Sequence, residues 1–194
     1  MADKRKSIFD AIRAAKGAGL TQAQVNDVNA VLDKIGVPKD GGMLGSNGEA
    51  LIKKWESYAK DLGDGRVQAY PDPATGGAPW TIGWGSTGPD ITKGTIWTRA
   101  QAEKRFQDHA QEFANGVTDA LGSAPTTQNQ FDAMTSLAYN IGLGNFKSST
   151  LLKKHKAGDY AGAKAQFAVW KNANGKVMQG LVNRRAEEAE LYGS

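Results

Sequence analysis

The sequence has no cysteine and only two histidines, and each scarcity excludes a kind of chemistry. Without cysteine the chain forms no disulfide and has no thiolate nucleophile. His109 and His155 stand in separate helical patterns without metal-ligand spacing around them, so we expect no zinc site. Thiol catalysis and a histidine-based metal centre are therefore set aside.

Long hydrophobic runs are also missing. No apolar run approaches the roughly 20 residues that a membrane span requires. The first residues, MADKRKSIFDAIRAAKG, are basic but lack the apolar stretch and the small-residue cleavage site of a signal peptide. We therefore expect the chain to start in the cytoplasm, without a secretory address and without stable insertion into a membrane.

Charge is unevenly distributed, and the positive excess lies toward the C-terminus. The net charge is +4, while residues 141–194 alone carry nine basic and four acidic groups. Such a surplus favours an anionic partner, whether nucleic acid, anionic lipid or a cell-wall polymer. A well-solvated surface would have the same composition, so charge alone does not decide between these explanations.

The sequence divides into a helical extension, residues 1–43, and a main domain, residues 44–194. Two short helices are predicted at roughly 5–16 and 21–35, the second opening with Thr21 and with Gln24 in the capping-box position. The glycine-rich segment KDGGMLGSNG then reads as a linker. The main domain opens with a second predicted capping box, formed by Ser46 and Glu49.

The main domain combines a small sheet with a helical bulk. Apolar residues at helical spacing follow Ser46, and then the glycine- and proline-rich stretch from Gly63 to about Thr95 contains RVQAY and WTIGW, which predict short strands. From Thr98 the pattern is helical almost to the end, with Asp159 as a predicted cap of one helix and a turn at NANG. This order predicts an α+β fold with a groove between its two parts.

Two carboxylates stand out. Glu56 flanks the apolar stripe of the helix LIKKWESYA, where lost hydration would favour the protonated form that a general acid needs. Asp72 lies in the turn-rich stretch AYPDPATGG. Taken singly, each has an ordinary explanation, as an exposed helical glutamate and as a turn-stabilising aspartate.

Taken together, A-Y-P-D, a glycine-rich turn and W-T-I-G-W-G resemble the signature of phage-type lysozymes, glycoside hydrolase family 24. In that family a helix ends in a catalytic glutamate and is followed by A-Y-x-D and T-I-G-Y-G. The segment FDAMTSLAYNIGLGNFKSSTLLKKHKAGDYAGAKAQFAVW resembles the family's helical lobe, and GLVNRRAEEAELY its closing helix. The resemblance covers about residues 46–192 and implies a lysozyme-like α+β fold, with a small β-hairpin sheet beside a mostly helical lobe.

The resemblance implies a role for each matching residue. Glu56 would protonate the leaving glycosidic oxygen, Asp72 would orient or activate water, and the Thr81 hydroxyl would help to hold that water. Arg184 in N-R-R-A is the candidate cation that pairs with the catalytic glutamate, and Arg185 is nearly as good a candidate.

Three further residues fall where the family lines its saccharide groove: Thr87, Tyr139 and Ser149. An aromatic ring at Tyr139 could stack on a sugar, but a core position on its helix is an equally good explanation.

The chain also departs from the family pattern. Serine follows Glu56 where glycine is usual, and the hairpin ends G-W-G-S-T where G-Y-G-H-T is common. Asp72 follows Glu56 by sixteen positions and Thr81 follows Asp72 by nine, because the segment AKDLGDG and the turn are long. Asp61 and Asp64 in that insert are rival carboxylates, although neither precedes a T-I-G strand at the expected offset.

The implied function is that of a phage endolysin. It would hydrolyse the β-1,4 bond between N-acetylmuramic acid and N-acetylglucosamine in bacterial peptidoglycan, with inversion, and would need no metal or organic cofactor. We expect a monomer that does not bind nucleic acid. It would accumulate in the host cytoplasm and reach the periplasm and cell wall at lysis, once a holin opens the inner membrane.

Two alternatives stay open at this point. One is a peptidoglycan-binding phage structural protein without activity, and the other is a chitinase-like specificity. The extension over residues 1–43 would dock on the main domain or bind the envelope. Its second helix carries two aspartates and one lysine, which makes it a poor major-groove reader.

Overall fold

The computed structural model describes residues 42–56, 58, 60–72, 75–173 and 175–194, with isolated positions before them at 8, 11–12, 14–17, 21, 24, 27–28 and 31–32. The chain forms two compact units, Glu49–Glu112 and the combination of Met1–Gly48 with Phe113–Ser194. Among the residues so described, no helix is both long enough and apolar enough to cross a bilayer.

The N-terminal extension is described only in part. Most of the predicted helices over 5–16 and 21–35 lies outside the described residues, and those described at 8, 11–12, 14–16, 24, 27–28 and 31–32 are helical. The predicted capping box is confirmed: the backbone N–H of Thr21 donates to Gln24 Oε1 at 3.1 Å, and that of Gln24 donates to Thr21 Oγ1 at 3.3 Å. The domain boundary near residue 43 stays a prediction.

The unit Glu49–Glu112 contains the predicted strands. Helix α1 is Ser46–Glu56, and the strands are β1 (Arg66–Gln68), β2 (Tyr70–Pro71), β3 (Trp80–Thr81) and β4 (Ile96–Thr98). They form two antiparallel pairs, β1 with β4 and β2 with β3, where one small sheet was expected. Buried apolar side chains, among them Ile52, Val67, Ile82 and Phe106, make the core of this unit.

The second unit is helical. Helix α2 (Arg99–Leu121) begins in the first unit and ends here, followed by α3 (Gln128–Ile141), α4 (Leu143–Ser148), α5 (Thr150–Lys156), α6 (Tyr160–Ala165) and α7 (Gln179–Tyr192). Every residue from 131 to 138 is buried, which makes α3 the central helix of this core. At NANG the structure has a hairpin, β5 (Asn172–Ala173) with β6 (Lys176–Val177).

The observed bounds of α6 can be compared with those that the sequence predicts. Asp159 caps α6 as predicted, accepting from the backbone N–H of Gly162 at 2.8 Å. The apolar spacing of Tyr160, Ala163, Phe167 and Trp170 predicts a longer helix, which is wrong: the α-helix ends at Ala165 and a 3₁₀ turn, Gln166–Val169, follows. Short 3₁₀ turns at helix ends are common because they tighten the last turn.

The predicted Ser46–Glu49 capping box is also wrong. Asp132, which is buried, supplies the cap instead: its carboxylate accepts from the backbone N–H of Gly45 at 2.8 Å and of Gly48 at 3.1 Å. Glu49 pairs with Lys53 one turn along the helix at 2.6 Å. A negative charge at the first turn also suits the helix dipole, which gives the buried carboxylate two reasons to be there.

Candidate active site

Glu56 is the last residue of α1, one turn after the fully buried Ile52, and its side chain is partly buried. Its Oε2 lies 3.0 Å from the point where a Cβ would stand on Gly85, whose φ is +77°. Only glycine adopts that backbone conformation without strain and leaves this space open. The loop 83–86 therefore passes so close to the Glu56 carboxylate that a side chain at position 85 would crowd it.

Aromatic packing holds that loop. Trp84 is buried, with its ring centroid 4.6 Å from that of Tyr58 and 5.7 Å from that of Phe106. The Lys53 ammonium lies 4.7 Å from the Trp84 ring centroid and 4.8 Å from that of Phe106, a cation–π arrangement. Lys53 is in turn paired with Glu103. Burial lowers the pKa of Lys53, but its hydrogen bonds to carboxylates outweigh this and raise it overall, so the cation persists at neutral pH.

Asp72 and Thr81 belong to one hairpin. In the β2–β3 pair Tyr70 lies opposite Thr81 and Pro71 opposite Trp80, and Asp72 comes directly after β2. Since residues directly opposite each other in an antiparallel pair share a face, Tyr70 and Thr81 lie on the same face of the hairpin. The two polar groups that the resemblance assigns to the water thus belong to one hairpin, with Asp72 two positions after the register partner of Thr81.

The backbone of the turn fixes Asp72. Its N–H donates to the carbonyl of Gly77 at 3.0 Å and of Pro79 at 3.2 Å. Its Oδ1 accepts from the backbone N–H of Thr75 at 3.3 Å, the turn-stabilising bond expected of an aspartate in such a loop. Asp72 therefore has a structural role in its turn beside any role in catalysis.

Tyr70 connects the glutamate to the hairpin. Burial raises the pKa of the Tyr70 hydroxyl, and the charge of Glu56 raises it further. That second influence requires Glu56 to lie within electrostatic range of Tyr70, the residue paired with Thr81. Glu56 therefore lies within electrostatic range of the hairpin that carries Thr81 and Asp72, and all three belong to the unit Glu49–Glu112.

The rival carboxylates have local explanations. Asp61 Oδ1 accepts from the backbone N–H of Gly63 at 2.9 Å. Asp64 is exposed and binds the Arg66 guanidinium through two hydrogen bonds of 2.6 and 2.8 Å. Those bonds lower the pKa of Asp64, which keeps it ionised and paired. Neither aspartate needs a catalytic role to account for its position.

The remaining candidates have diverse surroundings. Thr87 is exposed, just beyond the loop 83–86. Tyr139 is partly buried, with its ring centroid 5.0 Å from that of Phe113. Ser149 is buried and caps α5, accepting from the backbone N–H of Leu152 at 3.1 Å. A contact with saccharide stays a prediction for all three.

The two arginines of N-R-R-A are both buried and share one carboxylate. Arg184 Nε donates to Glu188 Oε1 at 3.1 Å, and Arg185 donates to the same oxygen through Nη2 at 2.8 Å. Arg185 Nε lies 2.7 Å from Glu188 Oε2, and its Nη1 donates to Asn140 Oδ1 at 3.0 Å. Burial raises the pKa of Glu188 and the two guanidiniums oppose that shift. Pairing of Arg184 with Glu56 stays a prediction.

Sequence reasoning missed Tyr70 and Gly85 as parts of this site. Tyr70 stands two positions before Asp72, and Gly85 lies within W-G-S, so both belong to the motifs that carry the resemblance. Their importance depends on hairpin register and on a 3.0 Å approach, neither of which a pattern displays. Among the described residues there is no cluster of three histidine, aspartate or glutamate side chains that could hold a metal ion.

Comparison with known proteins identifies relatives of this chain. The sequence model of the family described as "Phage lysozyme" matches residues 60–188. The chain is 49% identical over 115 residues to an endolysin of Bacillus phage PZA, covering 59% of this chain and 44% of that protein. It is 37% identical to an endolysin of Acyrthosiphon pisum secondary endosymbiont phage 1, over 78% of this chain and 98% of the relative.

A solved structure supports the same relationship. The endolysin from Escherichia coli O157:H7 phage FAHEc1 matches with a TM-score of 0.66 and 35% identity, covering 77% of this chain and 92% of that one. The predicted lysozyme-like α+β fold is therefore confirmed. The chain spans about half the length of the Bacillus phage endolysins that it matches, with 44% and 51% of those proteins covered.

Proposed function

Because the chain belongs to the phage lysozyme family, we propose that it is an endolysin that hydrolyses the β-1,4 bond between N-acetylmuramic acid and N-acetylglucosamine in peptidoglycan. The observation that carries the proposal is the approach of the Glu56 carboxylate to the glycine of the loop 83–86, beside the hairpin that bears Asp72 and Thr81. Glycoside hydrolysis requires one group that donates a proton and a second carboxylate across the glycosidic bond, the roles proposed for Glu56 and Asp72.

The proposed reaction moves two protons. Glu56 donates its proton to the glycosidic oxygen, which leaves with the electron pair of the broken bond as a free hydroxyl. Water attacks the anomeric carbon from the opposite face and gives its proton to Asp72, while the Thr81 hydroxyl orients that water by a hydrogen bond. Inversion follows if the carboxyl groups stand roughly 6.5–9.5 Å apart in the bound complex.

Catalytic variants test this assignment. Glu56→Gln preserves the shape of the side chain but cannot donate the proton, so it should abolish clearing of permeabilised Gram-negative cells. Asp72→Asn should lose most activity for want of a base, whereas Asp64→Asn, which removes an exposed carboxylate from the neighbouring loop, should retain it. Clearing by Glu56→Gln at the wild-type rate would remove that residue from the acid role.

Product analysis separates the alternatives. Mass spectrometry of digested wall should find new reducing ends at N-acetylmuramic acid, and NMR of the first product should find the inverted anomer. A protein that binds wall without releasing fragments would be the non-catalytic structural protein. Faster digestion of chitin oligomers than of muropeptides would favour the chitinase-like specificity.

The remaining expectations belong to the same proposal. Thr87, Tyr139 and Ser149 would contact saccharide, and Arg184 or Arg185 would support Glu56. The protein would act as a monomer without nucleic acid or cofactor, would be held in the host cytoplasm and would reach the wall with the help of a holin. Residues 1–43 would dock on the main domain or bind the envelope. Analytical sedimentation would measure whether the protein is a monomer. The time of lysis, compared with and without a holin gene, would show whether a holin is needed for the protein to reach the wall.

A further inference from the structure

A depression in the unit formed by Met1–Gly48 and Phe113–Ser194 gathers three lysines from two helices. We term it the lysine depression. It has a volume of about 610 Å³ and is lined by Asp119, Ala120, Lys147, Leu152, Lys153 and Lys156. Lys147 belongs to α4, Lys153 and Lys156 to α5, and Asp119 and Ala120 to the end of α2. None of these residues belongs to the proposed catalytic set.

The positive charge of the lysine depression is poorly compensated. Lys156 donates to the carbonyl of Ala120 at 2.9 Å, a neutral partner that fixes the ammonium at the wall without cancelling its charge. Lys147 and Lys153 form no ion pair within the part of the chain that the structure describes. Asp119 offsets at most one of the three charges.

Helix electrostatics explain only part of this arrangement. Cations in the last turn of a helix interact favourably with its dipole, which accounts for Lys153 and Lys156 in α5. Lys147 likewise lies in the last turn of its own helix, α4, so the dipoles account for each lysine singly but not for the convergence of all three on one depression. Convergence of cations on a concave surface raises the local concentration of anions, because low-dielectric walls focus the field. The buried Leu152 supplies such a wall.

The lining also selects among anionic partners. Single-stranded nucleic acids stack their bases on aromatic side chains, and the lining contains none among the described residues. A bilayer surface is bound by exposed apolar side chains beside the cations, whereas Leu152 is only 5% exposed. Lysine ammonium groups bind phosphate oxygens as point charges without demanding a planar partner. An open site with several such cations fits a flexible chain that carries phosphates at intervals.

We propose that the lysine depression binds a phosphodiester polymer of the polyol-phosphate class, engaging two or more neighbouring phosphates. Such binding would hold the protein at an anionic envelope independently of bond cleavage. The probe that tests it is a glycerol-phosphate oligomer, titrated calorimetrically at about 0.15 M ionic strength, where charges farther apart than about 8 Å are largely screened. Using the full chain with Glu56→Gln separates this test from the proposed hydrolase activity.

The decisive comparison is between two triple variants of equal charge. Lys147→Gln with Lys153→Gln and Lys156→Gln should weaken oligomer binding about tenfold, since each exposed ion pair contributes roughly a factor of two. Lys93→Gln with Lys171→Gln and Lys176→Gln removes three equally exposed charges elsewhere and should weaken it less than about twofold. Melting temperatures equal to that of the wild type would establish that both triple variants fold. If a triple variant does not fold, the corresponding single substitutions are compared instead.

Several results would overturn the proposal. Equal weakening by the two triple variants would mean that binding follows overall charge, and a wild-type chain that does not bind the oligomer would exclude the site. Equal affinity for inorganic phosphate would reduce the site to a single-ion contact. Tighter lysine-dependent binding of an oligonucleotide, or of vesicles containing phosphatidylglycerol, would assign the depression to nucleic acid or to lipid instead.

Discussion

Gly85 lies directly beside the carboxylate of Glu56: a Cβ on the glycine would stand 3.0 Å from Oε2 of the glutamate. This separation is tighter than ordinary van der Waals contact, so an added methyl group would displace the carboxylate or the loop. The sequence W-G-S therefore determines how the proposed acid is held.

Gly85→Ala should reduce the rate of wall hydrolysis several-fold, because the carboxylate or the loop must shift by a few tenths of an ångström and a misplacement of about 1 Å costs up to about a hundredfold. It should also cost about 1 kcal/mol of unfolding free energy, since alanine is strained at positive φ. Turbidity clearing and urea unfolding measure the two effects.

Gly94→Ala is the matched control, because Gly94 has a φ of +85° and no atom within 4 Å of its Cβ position. It should show the same loss of stability with normal activity. If both variants lose activity alike, backbone strain rather than crowding of Glu56 is the cause.

Asp132 provides a second prediction, concerning the start of α1. Asp132→Asn removes the charge from a buried group that accepts from the backbone N–H groups of Gly45 and Gly48, and the amide cannot accept both bonds equally well. We expect a loss of about 2 kcal/mol in unfolding free energy, within the range for hydrogen bonds to charged groups. Urea unfolding at pH 7 measures it.

Ser46→Ala is its control, because the sequence assigns the capping role to Ser46. That substitution should change the unfolding free energy by less than about 0.5 kcal/mol, as surface substitutions usually do. A large loss at Ser46 with none at Asp132 would restore the capping box that the sequence predicts.

These helix starts mark what the sequence could and could not predict. The caps at Asp159 and at Thr21 with Gln24 were predictable because donor and acceptor are three residues apart. The cap of α1 was not, because Asp132 is eighty-seven residues along the chain from Gly45. A local serine was a sufficient explanation until tertiary packing brought a better acceptor to the same helix end.

The candidate site divides in the same way. Glu56, Asp72 and Thr81 were identified because their order and neighbouring residues match a family pattern. The partners that set their surroundings, Tyr70 and Gly85, act through strand register and close approach. Those relationships appear only once the hairpin is folded, so a sequence motif identifies the proposed reacting groups but not the residues that surround them.

His155 makes the stability of the helical unit depend on pH. Its ring is buried between Thr126 Oγ1, 2.8 Å from Nε2, and the Tyr192 hydroxyl, 2.5 Å from Nδ1. Burial lowers the pKa of His155 from about 6.5 to about 4, and a hydrogen bond to the Pro125 carbonyl opposes this only in part. The folded state therefore binds the proton less readily than the unfolded chain does.

The direction of the effect follows from linkage. The stabilising contribution of neutral His155 is fully present above pH 6.5 and is lost progressively as the pH falls toward 4. We expect a loss of about 3 kcal/mol across that window, because each factor of ten in proton affinity between the folded and unfolded states is worth about 1.4 kcal/mol. Urea unfolding between pH 7 and 4 should give a shallower pH slope for His155→Gln than for the wild type. His109→Gln should keep the wild-type slope, and a flattened slope there would assign the effect to the other histidine.

Arg184 and Arg185 compete for Glu188, and their contacts predict an order of importance for stability. Arg185 donates to Oε1 of Glu188 and to Asn140, and its Nε lies 2.7 Å from Oε2 as an ion pair without hydrogen-bond geometry. Arg184 donates to Oε1 and to the Ser136 carbonyl at 3.3 Å. Lysine cannot reproduce the guanidinium fork, so substitution breaks a buried pair.

Arg185→Lys should therefore cost about 3 kcal/mol, in the range for a disrupted buried ion pair, and Arg184→Lys clearly less. A double-mutant cycle with Glu188→Gln checks that the loss comes from this pair, since the effect of the arginine substitution should nearly vanish once the carboxylate is gone.

Measurements of activity then show which arginine provides the proposed support of Glu56. If Arg184 is that cation, Arg184→Lys lowers the hydrolysis rate more than its small stability loss explains. Arg185→Lys, measured at a temperature where the variant remains folded, then keeps the wild-type hydrolysis rate. The reverse pattern would transfer the supporting role to Arg185.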